Sequence, residues 1–195
     1  MVTINIQDVQ LKLYDKLKSS GWGDKLKTFI LSSEFESILK QLLDEVNENK
    51  RFTPPLKQVF RAFEECKLKD LKVVIIGQDP YPYLNIADGL AFSCSLTGKP
   101  QPSLKNIFEA IEHTVHEDFP THQDVDLTRW SKQGVLLLNS AFTCQIDKPG
   151  THYSIWSDFL FMVIDALNTK ENIPFILMGK QAQTFAPYIN NPVIK

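Results

Sequence analysis

The sequence predicts an α/β fold in which a central, parallel, twisted sheet of four strands is flanked by helices in three layers. The first observation behind this prediction is a set of short apolar runs, such as residues 73–76, that each end at a glycine or a polar residue. The second is that these runs alternate with longer stretches whose apolar residues have helical spacing. Strands that alternate with helices form parallel sheets through right-handed crossovers.

The first fifty residues are predicted to be helical. Apolar residues recur at helical spacing in residues 4–13, 26–30 and 35–46, and Ser32 and Ser33 stand where a helix cap is expected. The apolar faces of these helices are expected to belong to the core and not to a functional site.

A rigid, proline-containing break at residues 53–55 separates this region from the predicted sheet. Four apolar runs are predicted to be the strands of the sheet, at residues 71–77, 90–93, 135–138 and 174–178. Each is short and apolar, as buried strands are.

Two longer helices are predicted between the later strands. Ser103 is expected to cap the first of them, and the second is amphipathic and covers residues 155–167. No repeat, linker or low-complexity tract interrupts the pattern. Residues 1–195 are therefore predicted to form one domain.

Length and charge limit the classes of protein to which the chain can belong. Its 195 residues suit one domain with a sizeable core. No apolar run approaches the roughly eighteen residues of a membrane span, and the amino terminus lacks the apolar segment of a signal peptide. We therefore expect a soluble, intracellular, cytoplasmic protein. The net charge of −2 lacks the basic excess of non-specific nucleic-acid binders, so any nucleic-acid contact must be local.

The cysteines and histidines do not indicate a metal site. Cys66, Cys94 and Cys144 are an odd number without a C-x-x-C pair, so buried free thiols are expected in place of disulfides or a zinc site. His113 and His116 lie three residues apart, but no third ligand is near them in the sequence. We expect both to be solvent-exposed.

Polar side chains follow the predicted strands at their carboxyl ends, where open α/β sheets hold their ligands. They are Gln78, Asp79, Tyr81, Ser93, Asn139, Ser140 and the Gly179-Lys180 turn. The sequence has no glycine-rich phosphate fingerprint and no nucleophile-elbow serine, which excludes the commonest nucleotide-binding and hydrolase sites. A lone carboxylate suits a cationic transition state or a positioned water, and an amide beside an aromatic ring suits recognition of a flat heterocycle.

Each of these residues has a structural alternative when it is taken singly. Asp79 before a proline could form an Asx turn, Asn139 could cap a strand end, and Phe92 could pack in the core. The order in which they occur along the chain favours a functional interpretation.

Five motifs, in this order, resemble family 1 uracil-DNA glycosylases. They are Gly77-Gln78-Asp79-Pro80-Tyr81, Gly89-Leu90-Ala91-Phe92-Ser93, Pro102-Ser103-Leu104, Gly134-Val135-Leu136-Leu137-Leu138-Asn139 and Met178-Gly179. The resemblance covers about two thirds of the chain, from Thr53 to Gln183. It implies the three-layer glycosylase fold and a cofactor-free reaction that starts base excision repair. In that reaction a deoxyuridine is flipped out of DNA and its N-glycosidic bond is hydrolysed.

The resemblance also implies roles for single residues. Asp79 would be the catalytic group that positions or activates the water and stabilises the oxocarbenium-like sugar. Asn139 would pair with uracil N3–H and O4, and Phe92 would stack on the base. Tyr81 would exclude the thymine methyl, and the backbone of Gln78 would face uracil O2.

Three loops would grip the DNA backbone by the same resemblance, without much net charge. Their residues are Thr53, Pro54 and Pro55, then Pro102 and Ser103, and finally Gly179 and Lys180. His152 matches the family loosely and is left open between a wall of the site and a surface histidine. The expected partner is uracil-containing DNA, single- or double-stranded, bound by a monomer that does not contact membranes and that a protein inhibitor could also bind.

Several positions depart from the family pattern. Pro82 and Asp88 stand where many members have histidine, and Lys180 replaces a frequent serine. Members also continue into a His-Pro-Ser loop with a leucine wedge, which residues 1–195 are expected to lack. The missing histidine and wedge motivate an alternative hypothesis, a catalytically weakened DNA-binding or replication-accessory homologue. A relative that acts on another base is a third.

Overall fold

The computed structural model describes residues 5–114 and 124–195. Within these ranges the chain forms eight α-helices and three short 3₁₀ helices. The helices are α1 Ile6–Lys18, α2 Trp22–Ile30, α3 Ser33–Asn47, α4 Arg61–Glu65, α5 Pro102–Thr114, α6 Thr128–Ser131, α7 Tyr153–Asn168 and α8 Lys180–Gln183.

The strands form one main sheet and one small ribbon. They are β1 Phe52–Thr53, β2 Val73–Gly77, β3 Val135–Asn139, β4 Cys144–Gln145, β5 Phe175–Leu177 and β6 Val193–Ile194. The main sheet has the order β3-β2-β5-β6 with every pair parallel, while β1 and β4 pair antiparallel. The predicted helix-flanked, parallel, four-stranded sheet is confirmed.

One of the four predicted strands is wrong, because residues 90–93 form turns. Gly89 has a φ of +92° and Phe92 a φ of +67°, and a left-handed backbone cannot continue a strand. The buried Asp88 carboxylate accepts hydrogen bonds from the backbone N–H of Leu90 and of Ser95, which holds the turn. The fourth strand of the sheet is β6, whose two residues are too few to give a periodic signal.

The predicted helices of the amino-terminal region are confirmed. Ser32 caps α3 by accepting a hydrogen bond from the Phe35 N–H at 3.2 Å. The buried Gln10 side chain donates to the carbonyl of Ile30 at 2.8 Å, which ties α1 to the end of α2. Ile4, the first residue of the predicted pattern, lies outside the described residues.

The expected cap at Ser103 is wrong, because α5 already begins at Pro102. Proline suits this first position, since its missing N–H would have no partner in the helix. His113 is exposed as predicted, whereas His116 lies outside the described residues, as does most of the predicted surface loop before Leu127.

The core on one side of the main sheet is rich in aromatic rings. Phe60 at the start of α4 and Phe63 within it contact Phe142 after β3, and Trp156 and Phe159 of α7 complete the cluster. Their packing joins α4 and α7 to the segment that follows β3. The elements that carry the candidate site therefore rest on a rigid base.

The cysteines are buried free thiols, as predicted. Burial raises the pKa of Cys66 and of Cys144 to about 12, so neither thiol is a nucleophile at neutral pH. Within the described part of the chain, no helix is long and apolar enough to cross a membrane.

Candidate active site

The carboxyl ends of β2 and β3 bring the two specific motifs together. The strands pair in parallel with Gly77 opposite Asn139. The backbone N–H of Ser140 donates to the carbonyls of Gly77 at 3.0 Å and Gln78 at 2.9 Å, and its hydroxyl also donates to Gly77. The polar residues that follow each strand are thereby held side by side.

A pocket of about 140 Å³ opens at this edge of the sheet. It contains all five residues that the sequence proposes for catalysis and uracil binding, namely Gln78, Asp79, Tyr81, Phe92 and Asn139. The remaining lining is mostly apolar and includes Leu90, Leu137 and Phe142. An apolar cavity of about 150 Å³ holds one benzene molecule, so this pocket suits a single six-membered ring.

The two aromatic walls of the pocket are fixed to each other. The Tyr81 hydroxyl donates to the carbonyl of Phe92 at 3.1 Å. A Cβ atom on Gly77 would lie 2.9 Å from both Asn139 Oδ1 and Phe92 Cζ, so only glycine lets these groups converge. Burial raises the pKa of the Tyr81 phenol, which keeps it protonated as a donor.

A buried ion pair supports the turn that carries Phe92. The fully buried Asp88 accepts a hydrogen bond from Ser93 Oγ at 2.7 Å and pairs with Arg61 at 3.1 Å. Arg61 also donates to the backbone carbonyl of Asp88 and to Thr128 Oγ1. Asp88, one of the departures from the family pattern, therefore acts on the structure of the site and does not line the pocket.

Asp79 is half-buried at the pocket, and one of its oxygens is held by a backbone amide. The N–H of Gly150 donates to Asp79 Oδ2 at 2.6 Å. Burial raises the pKa of this carboxyl above its usual value, and the hydrogen bond from Gly150 opposes that rise. A carboxylate held in this way can stabilise positive charge or accept a proton from water.

Comparisons with known proteins agree with this geometry. A sequence model of the Uracil DNA glycosylase superfamily matches residues 63–193. The chain is 40% identical over 185 residues to the uracil-DNA glycosylase of Acinetobacter baumannii (strain SDF), covering 93% of this chain and 76% of that protein. The chain belongs to the uracil-DNA glycosylase superfamily.

A second relative and two solved structures extend the comparison. The uracil-DNA glycosylase of Campylobacter jejuni is 35% identical over 192 residues, which cover 97% of this chain and 79% of that protein. The crystal structure of mimivirus uracil-DNA glycosylase superposes with a TM-score of 0.79 at 26% identity, covering 91% of this chain and 69% of that one. A mimivirus UNG variant in complex with UGI superposes with a TM-score of 0.80 at 27% identity, covering 91% and 70%.

The residues predicted to bind the DNA backbone differ in how exposed they are in this member of the glycosylase superfamily. Pro54 and Ser103 line the pocket, while Pro55, Pro102, Gly179 and Lys180 are exposed. Thr53 is 2% exposed, because it pairs with Cys144 in the small ribbon. The Thr53 side chain is therefore buried in this structure, whereas Pro55, Pro102, Gly179 and Lys180 lie at the surface.

His152 fits neither of the two expectations for it. It is 1% exposed, so the surface alternative is wrong, and it is not among the residues that line the pocket. Its ring lies 2.7 Å from Thr143 Oγ1 and 3.1 Å from Glu45 Oε2. Within the described ranges, no group of three or more histidine, cysteine or acidic residues is placed to hold a metal ion.

Sequence reasoning missed the contacts of two residues in this superfamily member: Gly150, whose N–H donates to Asp79, and Glu45, which contacts His152 outside the pocket. Gly150 was interpreted only as part of a loop, and Glu45 as part of a helix that packs on the core. Only the glycine itself, within a Lys-Pro-Gly turn, signalled that the backbone at Gly150 has a special conformation.

Proposed function

We propose that this chain hydrolyses the N-glycosidic bond of deoxyuridine in DNA and so starts base excision repair. The observation that carries the proposal is that one pocket, sized for a single ring, is lined by the Asn139 amide, the rings of Tyr81 and Phe92 and the Asp79 carboxylate. Family membership and the two named bacterial relatives support the same reaction.

Recognition of uracil is proposed to rest on the Asn139 amide. Its oxygen accepts from uracil N3–H while its NH₂ donates to O4. Cytosine has an acceptor at N3 and a donor at C4, so the same orientation would leave two buried polar mismatches. At about 1–3 kcal/mol each, this gives roughly 2–6 kcal/mol of discrimination.

Rejection of thymine is proposed to rest on Tyr81. Thymine differs from uracil by one methyl group, which apolar pockets reject poorly unless a rigid wall overlaps with it. The hydrogen bond from Tyr81 to the Phe92 carbonyl makes this wall rigid. Phe92 offers its ring as the stacking surface for the base.

Asp79 is proposed to act on the sugar and the water. As the N-glycosidic bond breaks, its electron pair leaves with the uracil ring and positive charge develops on the sugar. The Asp79 carboxylate stabilises that charge and accepts a proton from the water whose oxygen bonds to C1′. The proton is then available to neutralise the uracil anion, and the backbone of Gln78 faces its O2.

The exposed loop residues are proposed to position the DNA. Pro55, Pro102, Ser103, Gly179 and Lys180 lie on loops or at helix starts. The prolines have no N–H to donate, so Ser103, Gly179 and Lys180 would supply the backbone and side-chain donors to phosphates. Such local contacts are compatible with the net charge of −2. Because a mimivirus relative forms a complex with UGI, we also propose UGI as an inhibitor of this chain.

Loss of catalysis, the alternative hypothesis, is not favoured. The relatives with 35–40% identity are named as glycosylases, and the pocket retains its carboxylate next to the base-recognition residues. A protein that only binds DNA has no need for a half-buried carboxylate whose ionisation burial disfavours.

The test is uracil release from single-stranded and duplex oligonucleotides that contain one deoxyuridine. We expect Asp79→Asn and Asn139→Ala to lower the rate by about 10²–10⁴ each, as losses of charge-stabilising or acid–base groups do. Lys12→Ala, an exposed change on α1, is the matched control and should keep the wild-type rate. Unchanged release in both site variants would contradict the assigned roles.

A further inference from the structure

The loop between β4 and α7 carries the amide that holds Asp79. Gly150 donates to Asp79 from this loop, and His152, two residues later, precedes the first residue of α7. The position of the Gly150 amide therefore depends on how firmly His152 is fixed.

His152 belongs to a buried chain of hydrogen bonds. Trp156 Nε1 donates to Thr143 Oγ1 at 2.7 Å, and this hydroxyl lies 2.7 Å from His152 Nδ1. Since the threonine oxygen already accepts from Trp156, its proton is free to be donated to Nδ1. His152 then carries its own proton on Nε2 and donates it to Glu45, whose oxygens lie 3.1 and 3.2 Å away.

We propose that the Glu45–His152 pair is a positioning device that holds the Gly150 N–H against the Asp79 carboxylate. The proposal deepens the proposed function and rests on it, because it assumes that Asp79 carries the reaction. Glu45 touches neither the pocket nor Asp79, so it acts through the loop and is not a catalytic residue.

The position of Glu45 in the fold supports this inference. It lies on α3, before the residues that match the superfamily model, yet it reaches a histidine 107 residues later in the chain. Burying a carboxylate is costly unless its partners compensate, and Glu45 is only 8% exposed. Replacement of a buried pair by apolar side chains of similar volume is often neutral or stabilising, so the packing of α3 does not by itself require this pair.

The proposal has a consequence for the ionisation of Asp79. The hydrogen bond from Gly150 opposes the rise in pKa that burial causes. When the loop shifts and the bond is lost, the pKa of Asp79 rises further and the active carboxylate forms only at higher pH. The neighbouring groups Cys144 and Tyr153 both have raised pKa values and stay neutral across the acid range, so they do not obscure this limb.

The experiment measures single-turnover uracil release against pH for the wild type, Glu45→Leu and Glu45→Gln. We expect Glu45→Leu to lower the maximal rate by about 10²-fold, as misplacement of a reacting group does, and to move the acid limb to higher pH. Glu45→Gln should restore both, because its amide oxygen can accept from His152 Nε2–H. Glu48→Leu, which removes an exposed carboxylate beside the same helix, is the matched control and should leave the profile unchanged.

Two results would overturn the inference. The first is a folded Glu45→Leu protein whose acid limb coincides with that of the wild type. The second, if Glu45→Leu does not fold, is an unshifted limb in Thr143→Val, which keeps the side-chain shape and removes the hydroxyl that orients His152. Asp79→Asn separates the two proposals. If Asp79→Asn stays active, the proposed role of Asp79 is wrong. If Asp79→Asn is inactive and the acid limbs of Glu45→Leu and Thr143→Val are unshifted, only the positioning role of the Glu45–His152 pair is wrong.

Discussion

The Tyr81 hydroxyl donates a hydrogen bond to the backbone carbonyl of Phe92 at 3.1 Å, which joins the two aromatic walls of the pocket. These residues come from separate motifs, and Phe92 has a left-handed backbone with φ +67°. The relationship explains how a pocket at the edge of a sheet keeps a fixed width. It also predicts how the pocket responds when either wall is changed.

Tyr81→Ala should admit thymine, because removal of the ring opens the space that the thymine methyl would occupy. Tyr81→Phe keeps the ring and should continue to reject thymine, although it loses the bond to Phe92. The measurement is release of thymine and of uracil from matched oligonucleotides. If Tyr81→Ala releases uracil but no thymine, Tyr81 is not the group that excludes the methyl.

Gly77→Ala should impair uracil release more than it impairs folding. The added Cβ would lie 2.9 Å from both Asn139 Oδ1 and Phe92 Cζ, so at least one of them must move. Such overpacking costs about 1–3 kcal/mol of stability. Gly98→Ala is the control, because a Cβ at Gly98 would meet no atom within 4 Å. This variant should show only the backbone strain of placing alanine at a φ of +65°. Equal activity in the two variants would contradict the proposed convergence.

Asp88→Ala should lower the free energy of unfolding by about 1–3 kcal/mol for each buried donor that loses its acceptor, and it also removes one of the carboxylates that pair with the partly buried Arg61. The same change removes the acceptor for Ser93 and for two backbone amides in the turn before and after Phe92. Urea unfolding measures the loss. Asp15→Ala breaks an exposed pair with Lys18 and should cost at most about 1 kcal/mol. A small loss for Asp88→Ala would mean that the ion pair does not hold the turn.

Stability should fall as the pH decreases below 6.5, the ordinary pKa of histidine, and His152 should account for part of the fall. Burial lowers the pKa of His152 in the folded state, and Glu45 only partly opposes this effect. Between pH 6.5 and the lower pKa of His152 in the folded state, the unfolded chain therefore binds more protons than the folded chain. The stability that is present above pH 6.5 is lost as the pH falls toward that folded-state pKa. Unfolding free energies measured from pH 7.5 downward test this expectation. His152→Gln should flatten the dependence, whereas His113→Gln, at an exposed position, should not.

Much of the site was predictable because its residues follow strands directly in the sequence. Gln78, Asp79 and Tyr81 come after one apolar run and Asn139 ends another, and parallel strands place such ends at one edge of a sheet. The helical spacing before residue 50 likewise predicted that this region is helical, because the period of the apolar residues is itself a local property.

What the sequence alone determined is therefore three of the four strands of the main sheet, the polar residues at their ends and the resemblance to a known family. Only the tertiary structure decided the turn at residues 89–92, since a buried ion pair between Asp88 and Arg61 overrides the apolar run there. It also decided that Gly150 holds Asp79 across 71 residues and that Glu45 holds His152 across 107. Such contacts leave no periodic signal, because they depend on which distant segments the packed core brings together.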